Sequence, residues 1–205
     1  MAVVLLALFI TALNGTAEGK VAPTSLSNLT TVADQIVTGT VVAVNSVEGI
    51  QVATLEVDST LKGPSFGHLY FLAQPTWVCD TSEAKLGEHV LLFLNKYTFG
   101  SGDKDLFDFK EPRSFKRKMA GLTGSDPFFS ISWSGRGRMP VRTVDGVEYA
   151  TLWTGDVLLP TVLATIDGPE KEYSSFIRSV PLHDLVATVK TQLEQARSQA
   201  AARAH

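Results

Sequence analysis

The spacing of apolar side chains changes period several times along the chain. Thr24 or Ser25 is placed to cap a short helix running to Gln35, with Leu26, Leu29 and Val32 or Ala33 on one stripe. Ile36 to Val44 (IVTGTVVAV) is then β-branched on both faces, the pattern of a strand covered on both sides. Gln51 to Leu61 alternates, with Ala53, Leu55 and Val57 predicted inward and Glu56 and Asp58 outward, until Lys62-Gly63-Pro64 stops it. His68 to Ala73 predicts a third strand and His89 to Leu94 (HVLLFL) a fourth, again apolar on both faces. Between Tyr97 and Asp126 glycine, aspartate and basic residues break the period, which predicts a long loop or insertion.

Asp145-Gly146, set between Val144 and Val147, predicts a type I′ hairpin turn. Pairing outward places Arg142 opposite Tyr149 and Val141 opposite Ala150, then Met139 opposite Leu152 and Arg138 opposite Trp153. One face is therefore arginine and aromatic, and the other Met, Val, Ala and Leu. Pro140 falls opposite Thr151 at a hydrogen-bonded site where it cannot donate, so the strand is expected to be an edge or to bulge there. A terminal helix is predicted from about Pro181 to Ala202, with Leu182, Leu185, Val186, Val189 and Leu193 on one stripe. The stripe ends at Leu193, so Arg197 to His205 is expected to fray.

Composition narrows the class. The chain has 205 residues, 44% of them hydrophobic and 19% charged, a globular balance rather than a disordered one. The formal net charge of −3 is too small to steer the whole molecule toward nucleic acid. Met1 to Leu13 is nearly all apolar, too short for a membrane-spanning helix and suited to a signal-peptide core. Gly15-Thr16-Ala17 supplies small residues for cleavage, although no Lys or Arg precedes the apolar run. Residues 1–17 are read as an export signal and 18–205 as one domain, secreted or periplasmic. Cys79 is the single cysteine, so no internal disulfide forms.

The order of short helix, strands, irregular stretch, hairpin and terminal helix resembles the netrin-like branch of OB-fold barrels, which includes tissue inhibitors of metalloproteinases. The resemblance rests on Ala33-Asp34-Gln35-Ile36-Val37-Thr38-Gly39-Thr40-Val41, on Leu61-Lys62-Gly63, and on Leu86-Gly87-Glu88-His89-Val90-Leu91-Leu92-Phe93-Leu94. These are similar to the G-x-V, L-K-G and L-G-x-x-x-L-x-F-L marks of uncharacterised exported bacterial members. The resemblance covers Ser25 to Leu94, with the terminal helix fitting more loosely. It implies a mainly β fold: a small OB-like barrel with an N-terminal and a C-terminal flanking helix and an added β-hairpin. The family's inhibitors chelate zinc through an N-terminal cysteine, whereas the predicted mature start here is Glu18. Their disulfides are absent as well, so no functional residue is carried over.

Candidate chemistry is sparse. Cys79 with His68 or His89 forms a conceivable nucleophilic dyad, but Asp80 beside it opposes thiolate formation, and Trp77 on its face suits packing. A link between two chains is a further use for a lone cysteine. His68, His89, His183 and His205 show no metal-ligand spacing; His68 and His89 meet only if their strands are neighbours. Asp103, Asp105 and Asp108 hint at Ca²⁺, but Phe107 occupies the third slot of an EF-hand pattern. Catalytic, metal and cofactor assignments are therefore none.

Lys110, Arg113, Lys116, Arg117 and Lys118 form a basic run, read either as a solvated loop or as contact with an anionic polymer, lipid head groups or an acidic protein. Arg136, Arg138 and Arg142 add to it if hairpin and loop share one side. With Tyr149 and Trp153, an Arg–aromatic ladder suits a sugar or a peptide, or simple cross-strand support. The candidate ligand-binding residues are Arg138, Arg142, Tyr149, Trp153, Lys116, Arg117 and Lys118. The expected function is an exported, non-enzymatic binding module whose partner is an extracytoplasmic protein or anionic polymer. The alternatives are a thiol-dependent hydrolase using Cys79 and a structural envelope protein.

Overall fold

The computed structural model describes residues 22–75, 82–97, 112–124, 126–153, 155–167 and 177–203. The export segment, Cys79, the aspartates of 103–108 and His205 lie outside these residues.

Strand β1 (Thr24–Ser25) leads into helix α1 (Leu26–Val32), where the Ser25 hydroxyl accepts a hydrogen bond from the Asn28 amide at 3.0 Å, the expected cap. The helix stops short of Gln35 because Ala33 is already extended. Strands β2 (Gln35–Val47), β3 (Ile50–Lys62), β4 (His68–Leu72), β5 (His89–Lys96) and β6 (Phe128–Ile131) follow in order and close into a barrel. β2 pairs with β3 and β5, β3 with β4, and β6 closes the ring by pairing parallel to β4 and antiparallel to β5. This is the Greek-key order of an OB-like barrel, and the mainly β reading holds.

The alternation read from the sequence sorts side chains correctly. Val37, Val41, Ala53, Leu55, Leu69, Phe71, Val90, Leu92 and Leu94 fill the barrel interior. Ile36, Leu91 and Phe93 point out of the same strands into a second core. Gly39 in β2 is required by close approach, since a Cβ there would lie 2.2 Å from the Glu56 carbonyl oxygen. It sits beside one of the register shifts that bend the long β2–β3 ribbon.

The second core builds the rest of the molecule. Strand β7 (Arg138–Val144) pairs with β5 and carries the sheet beyond the barrel through β8 (Val147–Trp153), β11 (Ile177–Pro181) and the short edge β10 (Ile166–Asp167). Strand β9 (Val157–Leu158) pairs in parallel with β1. Helix α3 (Leu182–Arg203) and α1 pack on this extension, with Leu26, Leu29, Met139, Ala150, Val180, Leu185 and Val189 fully buried between them. The terminal helix follows the predicted stripe, but it stays helical through Arg203 where fraying was expected. Its last turns, rich in Ala, Gln, Arg and Glu, have high intrinsic helix propensity.

Two further expectations are corrected. Residues 112–123 form helix α2 (Pro112–Thr123), not loop. Phe115 and Met119, four residues apart, bury on Val52, Leu72 and Phe128 outside the barrel, with Leu122 half-buried beside them. Pro140 neither marks an edge nor bulges; β7 is an interior strand between β5 and β8. Its ladder with β8 begins only at Val141–Ala150, and the Thr151 hydroxyl donates to the Pro140 carbonyl at 2.6 Å. The pairs expected beyond it, Met139 with Leu152 and Arg138 with Trp153, do not form. Met139 and Arg138 pair with Leu91 and Leu92 on β5, while Leu152 and Trp153 pair with Arg178 and Ile177 on β11.

Candidate functional site

The Asp145-Gly146 turn forms as predicted, both residues left-handed at φ 50° and 80°. Arg142 faces Tyr149 across the ladder and Val141 faces Ala150. Met139, Val141, Ala150 and Leu152 turn to the second core, and their alternates form the opposite face. There Arg138, Pro140 and Arg142 of β7, Thr151 and Trp153 of β8, and Ile177 of β11 line a groove of about 320 Å³. That volume lies at the lower end of the range for small-molecule sites.

The walls come from segments outside the predicted strands. Glu83, Lys85 and Glu88 precede β5, and Asp156 precedes β9. Arg138 Nη2 meets both carboxylate oxygens of Glu88, with side chains only 9% and 15% exposed. Arg136 is also buried; its Nη1 donates to the Ala22 carbonyl at 3.0 Å and its Nη2 lies 3.5 Å from Asp156 Oδ1. Removing a guanidinium from either pair would strand a largely desolvated carboxylate. These two arginines are therefore held rigidly in the wall, with their planar forks prepaid in orientation.

Arg136 is aimed inward by the turn between β6 and β7. Trp133 and Ser134 are both left-handed there, at φ 54° and 49°. Such positions in non-glycine residues cost on the order of 1–3 kcal/mol each and persist where surrounding contacts fix them. The fixing contacts are backbone bonds from Ser132 N to Phe93 O (2.9 Å), Phe93 N to Gly137 O (2.7 Å) and Arg136 N to Trp133 O (3.1 Å). On the other side, Asp156 N donates to Trp153 O at 3.1 Å, which ties the Trp153 backbone to the Arg136–Asp156 pair. Trp153 itself is 42% exposed at the groove, and Arg142 is exposed beside it.

Of the seven candidate residues, the groove gathers Arg138, Arg142 and Trp153. Tyr149 is half-buried on the same strand face but does not line it. Lys116, Arg117 and Lys118 lie exposed on α2, which contributes nothing to the groove. Lys118 instead pairs with Glu48 at the β2–β3 turn, and Ser114 Oγ donates to the same carboxylate at 2.9 Å. Both contacts hold the Glu48 carboxyl below its ordinary range.

The two strand histidines are not brought together. His68 lies opposite Glu56 and His89 opposite Thr40, with β2 and β3 between them, on the order of 14 Å apart along the sheet. His89 instead sits between carboxylates from β3 and β8. Its Nε2 is 3.3 Å from Asp58 Oδ2, out of alignment for a hydrogen bond, and its Nδ1 is 3.4 Å from Glu148 Oε1. It ties the added hairpin to the barrel.

The marks that carried the family resemblance serve structure rather than chemistry. Lys62 Nζ donates to the Thr30 and Thr31 carbonyls at 2.9 and 2.8 Å, capping α1, and burial holds its ammonium below its ordinary value against the opposing pull of Asp34. Gly87 N donates to Val41 O at 2.8 Å, and Val41 N to Glu88 O at 2.9 Å. That pair of bonds holds the turn that delivers Glu88 to Arg138. No family model matches the chain, and no curated protein matches it in sequence.

Proposed function

We propose that this protein is an exported, non-enzymatic binding module of netrin-like kind, and that it holds its ligand in the groove over β7, β8 and β11. The carrying observation is that three of the side chains picked out as an Arg–aromatic face, Arg138, Arg142 and Trp153, line one concavity together with Arg136. A support ladder requires no concavity, and Trp153 keeps 42% of its surface exposed at this one. Export is supported by the apolar Met1–Leu13 stretch and the small residues that follow it. The netrin-like reading is supported by the closed five-strand barrel and by the short helix before it and the long helix after it.

The test is a ligand-observed NMR screen of neutral, carboxylated and sulfated oligosaccharides and short peptides. It compares the wild type with the Arg142→Ala/Trp153→Ala double variant. The groove reading expects every saturable binder to weaken in the variant. Binders that the variant holds as tightly as the wild type would place the site elsewhere.

A further inference from the structure

We propose that His89 is a pH-sensitive latch, whose charged ring holds the tip of the β7–β8 hairpin to the barrel and whose neutral ring lets it go. The latch goes beyond the groove reading and stands whatever the groove holds.

The tip is the part of the hairpin with the least backbone support. β7 leaves the β5 ladder after Pro140, and β8 joins β11 only from Tyr149 onward. Between these points Arg142 pairs with Tyr149, Thr143 with Glu148 and Val144 with Val147, and residues 142–148 pair with no third strand among the described residues. Two strands alone are marginally stable in water, so a side-chain contact here has leverage. Glu148 supplies one, with its Oε1 3.4 Å from Nδ1 of His89, the first residue of β5. Asp58 of β3 lies on the other side of the ring, its Oδ2 3.3 Å from Nε2.

Both ring nitrogens therefore face a carboxylate. An imidazolium donates from both nitrogens and is attracted to both acids. A neutral imidazole carries one N–H. Placed on Nε2, it serves Asp58 and leaves the Nδ1 lone pair facing Glu148. Placed on Nδ1, it sets the buried Nε2 lone pair against Asp58. Asp58 thus competes with the hairpin for the last proton of the ring. The surroundings add acid on this face. Exposed Glu56 stands opposite Thr40, the residue that His89 pairs with on β2. Next in the chain, Glu88 is engaged with Arg138, which lines the groove with Arg142 on the other face of β7. Helix α3, which packs on β3 and β8, turns Leu185, Val186, Thr188, Val189 and Gln192 inward, none of them charged. Imidazole is the side chain that changes charge between about pH 5 and 8. The attraction to Glu148 is present at the acid end of that range and lost at the basic end.

The experiment is hydrogen exchange by NMR on the full chain, read as protection factors for the Val144 and Val147 amides between about pH 5 and 8. The proposal expects protection to fall about threefold from the acid to the basic end, the size of a half-exposed ion pair. His89→Gln should hold the low protection throughout. His89→Lys keeps a cation in place and should hold the high protection at both ends. Glu148→Gln should lower protection at the acid end about as far as high pH does in the wild type. Circular dichroism of each variant checks that it folds. Protection that does not change with pH in the wild type, or that falls equally in His89→Gln, would overturn the proposal. None of these readouts uses a ligand, so that failure leaves the groove reading untouched.

Discussion

Helix α2 and strand β7 are both rich in cationic side chains, yet the fold treats them in opposite ways. On α2, Lys116, Arg117 and Lys118 stand in solvent while Phe115 and Met119 hold the helix to the barrel. On β7 and the turn before it, Arg136 and Arg138 are buried in ion pairs and surround a concavity. A dense run of charge in sequence therefore marks a helix exterior. The more widely spaced arginines, Arg136 in the turn and Arg138 and Arg142 on one face of the strand after it, mark the better candidate for a site. Burial distinguishes them, not charge count.

The two regions are therefore expected to respond differently to substitution. The largest effect is expected from Phe115→Ala, which removes the apolar anchor of α2 and should destabilise by about 3–5 kcal/mol in urea unfolding, without touching ligand affinity. Arg138→Ala should follow, at about 3 kcal/mol, because Glu88 is left in a largely dry wall. A double-mutant cycle with Glu88→Gln should recover part of that loss. Replacing Lys116, Arg117 and Lys118 together by alanine should cost less than about 1 kcal/mol and leave groove binding intact. A large drop in affinity from that triple variant would erase the contrast.

The smallest effect concerns pH. Glu48 has its carboxyl held below the ordinary 4.5 by Lys118 and Ser114, so its contribution is present above 4.5 and is lost as pH falls through the lowered value. Glu48→Gln should therefore flatten the acid side of the stability profile slightly and do nothing near neutrality. An unchanged acid limb would show that the pair at the β2–β3 turn contributes nothing measurable.

Local signals carried most of the fold. The β-branched run at 36–44 reads as a doubly covered strand, and Ile36 and Val37 do enter different cores. Asp145-Gly146 fixes its own turn through left-handed φ, which sets the register as far as Val141. Beyond Pro140 local pairing fails because proline has no N–H to give the ladder and its carbonyl accepts from the Thr151 hydroxyl instead, while the outer edges of β7 and β8 are taken by β5 and β11, strands 46 or more and 24 or more positions away from the residues they pair with. α2 is hidden for another reason: Phe115, Met119 and Leu122 are only three large apolar positions amid four cations and a glycine. The arginine–aromatic face was readable from alternation, but its groove was not. Glu88 meets Arg138 across 50 positions and Asp156 meets Arg136 across 20, and nothing local announces such pairs.

The most direct test of the groove as the binding site is an amide and indole NMR titration of the protein with the tightest saturable binder from the oligosaccharide and peptide screen. The account predicts saturable shifts at Arg142, Thr151 and the Trp153 indole N–H, with Lys116 to Lys118 unmoved. Shifts confined to α2, with the Trp153 indole unchanged at saturation, would contradict it.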